Sequence, residues 1–188
     1  MVCHDARRIV EEPMQIHMDD AEVALKIKIY TTGGTIDKTY FDAKSEYEVG
    51  EPQIVDILGI ARVGVDYEVE TLMRKDSLEM TDRDRASIRE RVALDAARRV
   101  LITHGTDTMV ETASVLRALE GKTIVLVGSL SPARFKDSDA AFNIGFAFAA
   151  VQMLDPGVYI AMNGQAFRPE HVRKNPARNR FESSAGRG

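Results

Sequence analysis

Short apolar runs separated by helical segments constrain this chain more than any other feature. Leu25-Lys26-Ile27-Lys28-Ile29-Tyr30 and Tyr67-Glu68-Val69-Glu70-Thr71-Leu72 alternate apolar with polar residues, the period of a strand. Val100-Leu101-Ile102-Thr103, Thr123-Ile124-Val125-Leu126-Val127 and Val158-Tyr159-Ile160-Ala161-Met162 are short and almost wholly apolar, as strands buried on both faces are. Between them the pattern turns helical. Pro52 suits the first turn of a short helix carrying Ile54, Ile57 and Leu58. Thr81 with Asp82 and Asp84 opens a helix whose stripe is Ile88, Val92 and Ala96, closing on Arg98-Arg99. Thr108 and Glu111 have capping-box spacing for a helix running to about Glu120, with Gly121 as its stop. Asp137 to Met153 reads as a helix with Ala140, Ala141, Ile144, Phe148 and Val151 inward. Strands alternating with helices predict an α/β fold, a mainly parallel sheet with helices on both faces. Residues 36–50 read as a long loop, 1–24 as an N-terminal extension with one helical turn at Glu22-Val23-Ala24, 25–165 as the α/β domain, and 166–188 as a polar, basic tail.

Composition narrows the function classes. Of 188 residues, 44% are apolar and 29% charged, a mixture that sustains a folded core. The net charge of -4 argues against a nucleic-acid partner. A lone cysteine, Cys3, excludes an intrachain disulfide, and cysteine and histidine are too few for a zinc site, so no metal is expected. The first thirty residues are broken by charge and show no signal peptide, and no apolar run reaches the roughly 18 residues a membrane span needs. A cytoplasmic protein without a membrane partner is the expectation.

Ligands of parallel sheets bind at the C-terminal ends of the strands. Three polar groups fall there: the turn Thr32-Gly33-Gly34-Thr35, Ser77 shortly after the second strand, and Thr106-Asp107. Two glycines let backbone approach a substrate closely and offer N–H donors to an oxyanion. A threonine becomes a nucleophile only with a base or a nearby positive charge. Lys174, in Val172-Arg173-Lys174-Asn175, could join Thr106 and Asp107 in a hydroxyl–amine–carboxylate relay, a triad with lysine in place of histidine. Each residue alone has a plainer reading. Gly-Gly after a strand is a turn, Thr-Asp before a helix is a cap, Ser77 a turn residue, Lys174 a solvated side chain, and His104 a structural hydrogen-bonding group. The coincidence of position carries the case.

With these residues in view, the chain resembles the N-terminal domain of the bacterial-type L-asparaginase family, in its short single-domain form. Thr32-Gly33-Gly34-Thr35-Ile36 is similar to the family's first threonine motif and Thr103-His104-Gly105-Thr106-Asp107-Thr108 to the second. Lys44-Ser45-Glu46-Tyr47-Glu48-Val49-Gly50 resembles the mobile lid, and Asp76-Ser77-Leu78-Glu79-Met80 the substrate-binding loop. The resemblance covers roughly residues 25–181 and implies flavodoxin-like layering. It implies hydrolysis of L-asparagine, or of L-glutamine, to the acid and ammonia through an acyl-threonine, with no cofactor. Thr35 would be the nucleophile and Tyr47 would activate it. Thr106, Asp107 and Lys174 would move protons, and Gly34, Ser77, Glu79, Thr106 and Asp107 would bind the amino-acid substrate. The family's second α/β domain, which helps complete a neighbouring subunit's site, has no counterpart before Gly188. Completion by the tail or by another copy, in a homo-oligomeric dimer or tetramer, is the corresponding expectation. Val127-Gly128-Ser129-Leu130-Ser131-Pro132 also departs from the family's common Gly-Ala-Met-Arg-Pro.

Two rival readings come from other classes. One is a flavin- or phosphate-binding module, since a hydroxyl-rich turn after a strand can hold phosphate on a following helix. Here the turn leads into residues 36–50, broken by Gly50 and Pro52, and no dinucleotide or P-loop glycine pattern is present. The other is a non-catalytic amino-acid-binding domain.

Overall fold

The computed structural model describes residues 25–41 and 46–184, leaving aside the side chains of residues 40, 41, 46 and 47. Ten strands and four α-helices follow in the order β1 (Lys26–Gly33), β2 (Lys38–Phe41), β3 (Glu46–Val49), α1 (Gln53–Ala61), β4 (Asp66–Lys75), α2 (Asp82–Leu94), β5 (Arg99–Thr103), α3 (Met109–Leu116), β6 (Thr123–Val127), α4 (Ala140–Met153), β7 (Gly157–Met162), β8 (Gln165–Phe167), β9 (Val172–Asn175) and β10 (Arg180–Ser183). The main sheet has the order β4-β1-β5-β6-β7-β8. Its first five strands are parallel, and β8 returns antiparallel along β7. Sequence order reverses at β1, flanked by β4 on one side and β5 on the other. That reversal opens a crevice beyond the strand ends, where doubly wound sheets bind ligands.

The period-2 alternation divides the core into two layers. Tyr30, Val100, Ile102, Ile124, Leu126, Val158 and Ile160 face α2 and α3, represented by Ile88, Val92, Met109, Ala113 and Leu116. Ile27, Ile29, Leu101, Val125, Val127, Tyr159 and Ala161 face α1 and α4, represented by Ile54, Leu58, Ile144, Phe148 and Val151. Helices on both faces of a mainly parallel sheet are what the alternation predicts. Among the described residues no helix is long and apolar enough to cross a membrane.

Local signals gave the element types and missed several boundaries. The cap at Thr81 is a full capping box, with Thr81 Oγ1 accepting from Asp84 N–H and the Asp84 carboxylate accepting from Thr81 N–H. This helix ends at Leu94, so Ala96 lies outside it and exposed, and Arg99 begins β5 instead of closing a helix. The spacing of Thr108 and Glu111 does not act as a cap. Thr108 Oγ1 donates to the Ser77 carbonyl, and α3 stops at Leu116, short of Glu120. In α4, Ala140, Ile144, Phe148 and Val151 are buried but Ala141 faces solvent. Residues 36–50, read as a loop, contain the antiparallel pair β2–β3. The stretch from Arg168, read as a tail, forms the β9–β10 hairpin, whose Val172 and Phe181 are buried in the layer beside α3. Glu22-Val23-Ala24 lies outside the described residues.

Candidate active site

β1 runs through Thr31 and Thr32 to Gly33, and a single 3-10 turn, Thr35–Asp37, follows. Both glycines take positive φ, 93° at Gly33 and 91° at Gly34, where other residues are strained. Space reinforces the requirement. A Cβ on Gly33 would come within 2.7 Å of Lys75 N, and one on Gly34 would overlap the backbone of Gly105. The two threonine loops therefore touch main chain to main chain. Thr32 is wholly buried, its hydroxyl donating to the Thr103 carbonyl at 2.9 Å, so it ties β1 to β5 and is not free to react. Thr35 emerges past the contact, partly exposed.

Beyond β5 the backbone of His104 follows the sheet, its N–H bonded to Val127 O. The imidazole is fully buried, and burial pushes its pKa down to about 4, outweighing the Gly105 carbonyl. Nδ1 lies 2.7 Å from that carbonyl, which only accepts, so Nδ1 carries the proton and Nε2 accepts from the Thr112 hydroxyl at 2.8 Å. A neutral ring so engaged is a structural part of the loop, not a base for the reaction.

Thr106, Asp107 and Lys174 come together. Lys174 on β9 donates to Thr106 Oγ1 at 2.8 Å and to Asp107 Oδ1 at 2.7 Å. The β9–β10 hairpin delivers this lysine because Phe181, paired with it across the hairpin, anchors in the core. Thr106 is buried, Lys174 is one-fifth exposed and Asp107 two-fifths. Because the ammonium donates to Oγ1, the Thr106 hydroxyl proton is directed elsewhere. Among the described residues no base hydrogen-bonds the Thr35 hydroxyl. The side chain of Tyr47, expected to do so, lies outside the described residues; its backbone sits on β3, opposite Tyr40.

Ser77 starts a 3-10 turn, Ser77–Glu79, after β4. Its hydroxyl is shut away from solvent without a hydrogen-bond partner among the described residues, pressed against Gly105, where a Cβ would lie 2.5 Å from Oγ. In this rotamer the hydroxyl is closed to a ligand. Glu79 lies exposed at the rim. Thr103 Oγ1 is a second buried hydroxyl without a partner among the described residues.

Two residues absent from the sequence reading matter here. Asp37, two residues after Thr35, is 2% exposed, and its carboxylate accepts Gln53 N–H at 2.8 Å, capping α1. Burial pushes its pKa up to about 7 against the pull of that N–H and of Arg74. Lys38, the next residue, pairs with Asp76. A partner 38 residues away leaves no periodic trace, so the pairing was not legible although Asp76 falls in the loop motif. Among the described residues no three His, Cys, Asp or Glu side chains group as a metal site.

Residues 26–185 match the model of the asparaginase N-terminal domain. The chain belongs to the asparaginase family. It is 30% identical over 143 residues to an L-asparaginase of Thermococcus kodakarensis, covering 73% of this chain and 44% of that protein. It is 30% identical over 156 residues to a glutamyl-tRNA(Gln) amidotransferase component of Methanococcus maripaludis, covering 74% and 35%. The thermostable L-asparaginase structure from Thermococcus kodakarensis superposes with a TM-score of 0.74 at 29% identity, over 84% of this chain and 51% of that one. The family and the mainly parallel α/β fold are thus as the two threonine motifs implied. The chain spans about half the length, or less, of these relatives.

Proposed function

We propose that this asparaginase-family chain hydrolyses the side-chain amide of a small amino acid, L-asparagine or L-glutamine, through a covalent acyl-threonine. The observation that carries this reading is Lys174 held on Thr106 Oγ1 and Asp107 Oδ1 together, in a loop packed against the turn that exposes Thr35. Thr35 Oγ attacks the amide carbon as the Tyr47 hydroxyl takes its proton and passes its own to the amide nitrogen. Developing charge on the amide oxygen meets backbone N–H groups of the glycine turn. As the C–N bond breaks, the Thr106 hydroxyl passes its proton to the leaving nitrogen and takes one from Lys174, whose charge Asp107 balances. Ammonium departs; water then attacks the ester, one of its protons restoring Lys174 through Thr106 and the other passing to Thr35, so that the acid leaves as its carboxylate. Tyr47 on β3 is the activator of Thr35 in this scheme. Asp107 receives the substrate ammonium with Glu79 beside it, and Gly34 and Ser77 line the carboxylate side, Ser77 by rotating its hydroxyl away from Gly105. No cofactor enters these steps.

A homo-oligomer, dimer or tetramer, belongs to the same reading. It is supported by α4, whose 14 residues carry no charge and whose outer face exposes Phe142 and Met153. A single-chain mass by light scattering would remove it. The deciding experiment for function is ammonia release from both amides, comparing wild type with Thr35→Ala and Thr106→Ala. Loss of about 10³-fold or more is expected for each. Wild-type rates in Thr35→Ala would overturn the nucleophile. Absent turnover with saturable L-aspartate binding would make the chain a binding module.

A further inference from the structure

Lys38 occupies a place that the hydrolysis scheme does not use. It closes the 3-10 turn that bears Thr35: its backbone N–H donates to the Thr35 carbonyl. Its side chain reaches the turn that follows β4, where Nζ meets Asp76 Oδ2 at 2.5 Å. Asp76 immediately precedes Ser77, and its other oxygen, Oδ1, accepts Leu78 N–H at 3.0 Å. Both carboxylate oxygens are thus engaged, one by the nucleophile turn and one by the Ser77 turn. The pair is about three-quarters buried on each side, so it is less screened than a surface pair. Burial alone would raise the Asp76 pKa; the Lys38 ammonium, the Leu78 N–H and the charge of Lys174 overcome it and hold the carboxyl below its ordinary value. Asp76 is thus paired with Lys38 and feels the charge of Lys174 as well.

The Ser77 turn has need of such an anchor. It keeps a buried hydroxyl without a partner among the described residues, which costs free energy that its remaining bonds must offset. Thr108 Oγ1 on the Ser77 carbonyl is one of those bonds, and Lys38 through Asp76 is another.

We propose that Lys38 is a positioning residue, an ion-pair clamp that fixes the Ser77 turn against the turn carrying Thr35 and so sets the height of the substrate's carboxylate above the nucleophile. The catalytic half of this statement rests on the hydrolysis proposed above; the clamp itself does not. Removing the Lys38 charge frees the Ser77 turn to open toward water, where its hydroxyl finds partners. The cost then falls on substrate binding more than on the chemical step.

The test combines Lys38→Met, Lys38→Arg and Asp76→Asn in the full chain. Hydrogen exchange of the unliganded protein reads the clamp without substrate. Amides of residues 77–80 exchange about tenfold faster or more in Lys38→Met and Asp76→Asn, and at near wild-type rates in Lys38→Arg. Steady-state kinetics on L-asparagine then reads its use. KM rises about tenfold in Lys38→Met with kcat within about threefold, Lys38→Arg restores KM, and the double variant Lys38→Met/Asp76→Asn is no worse than either single one. Unaltered exchange in Lys38→Met, or an arginine that behaves like methionine, overturns the clamp. An unchanged KM alongside faster exchange overturns its role in substrate binding. A wild-type protein that releases no ammonia from either amide overturns the function proposed above, and the exchange data still decide the clamp.

Discussion

The two ends of the sheet are both crowded with charge, yet they differ in what the charges leave over. At the ends where the parallel strands begin, Lys28 on β1 pairs with Glu68 at 2.7 Å and Glu70 at 2.8 Å. Glu68 also receives Lys26, and both Glu70 oxygens are taken by Arg91. Asp95 takes the Tyr30 hydroxyl on one oxygen and Ala97 N–H on the other. A cleft of about 540 Å³ lies here, lined by Leu25, Lys28, Glu68 and Asp95 among others. Its charged walls already bond one another, so it offers a ligand little. At the other end Ser77 Oγ and Thr103 Oγ1 are buried without partners among the described residues, Asp37 is held in a site that favours its neutral form, and Asp107 keeps an exposed side. Clustered charge does not mark a functional end. Unused hydrogen-bonding capacity beside main chain that tolerates only glycine does.

The sharpest way to break this contrast is Lys174→Met. Loss of about 10³-fold in kcat/KM, near 4 kcal/mol of transition-state stabilisation, is expected with little change in unfolding free energy. A loss under tenfold would reduce the front end to another structural ion pair. Next comes pH. The Asp37 pKa is about 7 in the fold against an ordinary 3.8, so the unfolded chain loses that proton first and stability falls as pH rises from about 4 to about 7. His104, about 4 in the fold against an ordinary 6.5, acts oppositely: its contribution is lost as pH drops from about 6.5 to about 4. The two slopes offset each other over most of that range. Asp37→Asn removes one, so denaturation midpoints should climb with pH up to about 6.5 and then level off, a swing of a few kcal/mol. Midpoints that parallel wild type at every pH would show that Asp37 is not held off its ordinary value.

At the rear, Lys28→Met should lower unfolding stability by about 2 kcal/mol, since Glu68 is half exposed and water takes up part of the loss, with kcat/KM unchanged. A catalytic defect there would erase the distinction between the two ends. The smallest effect is expected at Thr108→Val, which removes the hydroxyl from the Ser77 carbonyl for about 1 kcal/mol. If the front end is tuned, that change appears in KM as well as in the melting curve; if it appears in the melting curve alone, Thr108 is merely structural.

Much of the front end could be read from the chain because its parts are local. A strand, two glycines and a threonine occupy consecutive positions, as do the strand, His104, Gly105 and Thr106. What sequence reading missed depends on distant partners. The β9–β10 hairpin has one inward residue per strand, Val172 and Phe181, too few for a period, and only its packing in the core shows why Lys174 arrives where it does. The β2–β3 pair is similarly short: Tyr47 and Val49 are the two alternating apolar residues of β3, too few to announce a strand. Thr108 has the spacing of a cap, yet its hydroxyl donates to the Ser77 carbonyl, a partner that spacing along the helix does not announce.

The contact between Gly34 and Gly105 also bears on how such a site could be moved or rebuilt. Because the two loops meet through bare backbone, neither can be altered in path or length without displacing the other. For protein engineering they are a single component, portable only to a host whose adjacent parallel strands end at matching heights. A library that varies one loop while holding the other fixed would yield mostly misfits, whereas paired exchange of both loops should keep the junction intact.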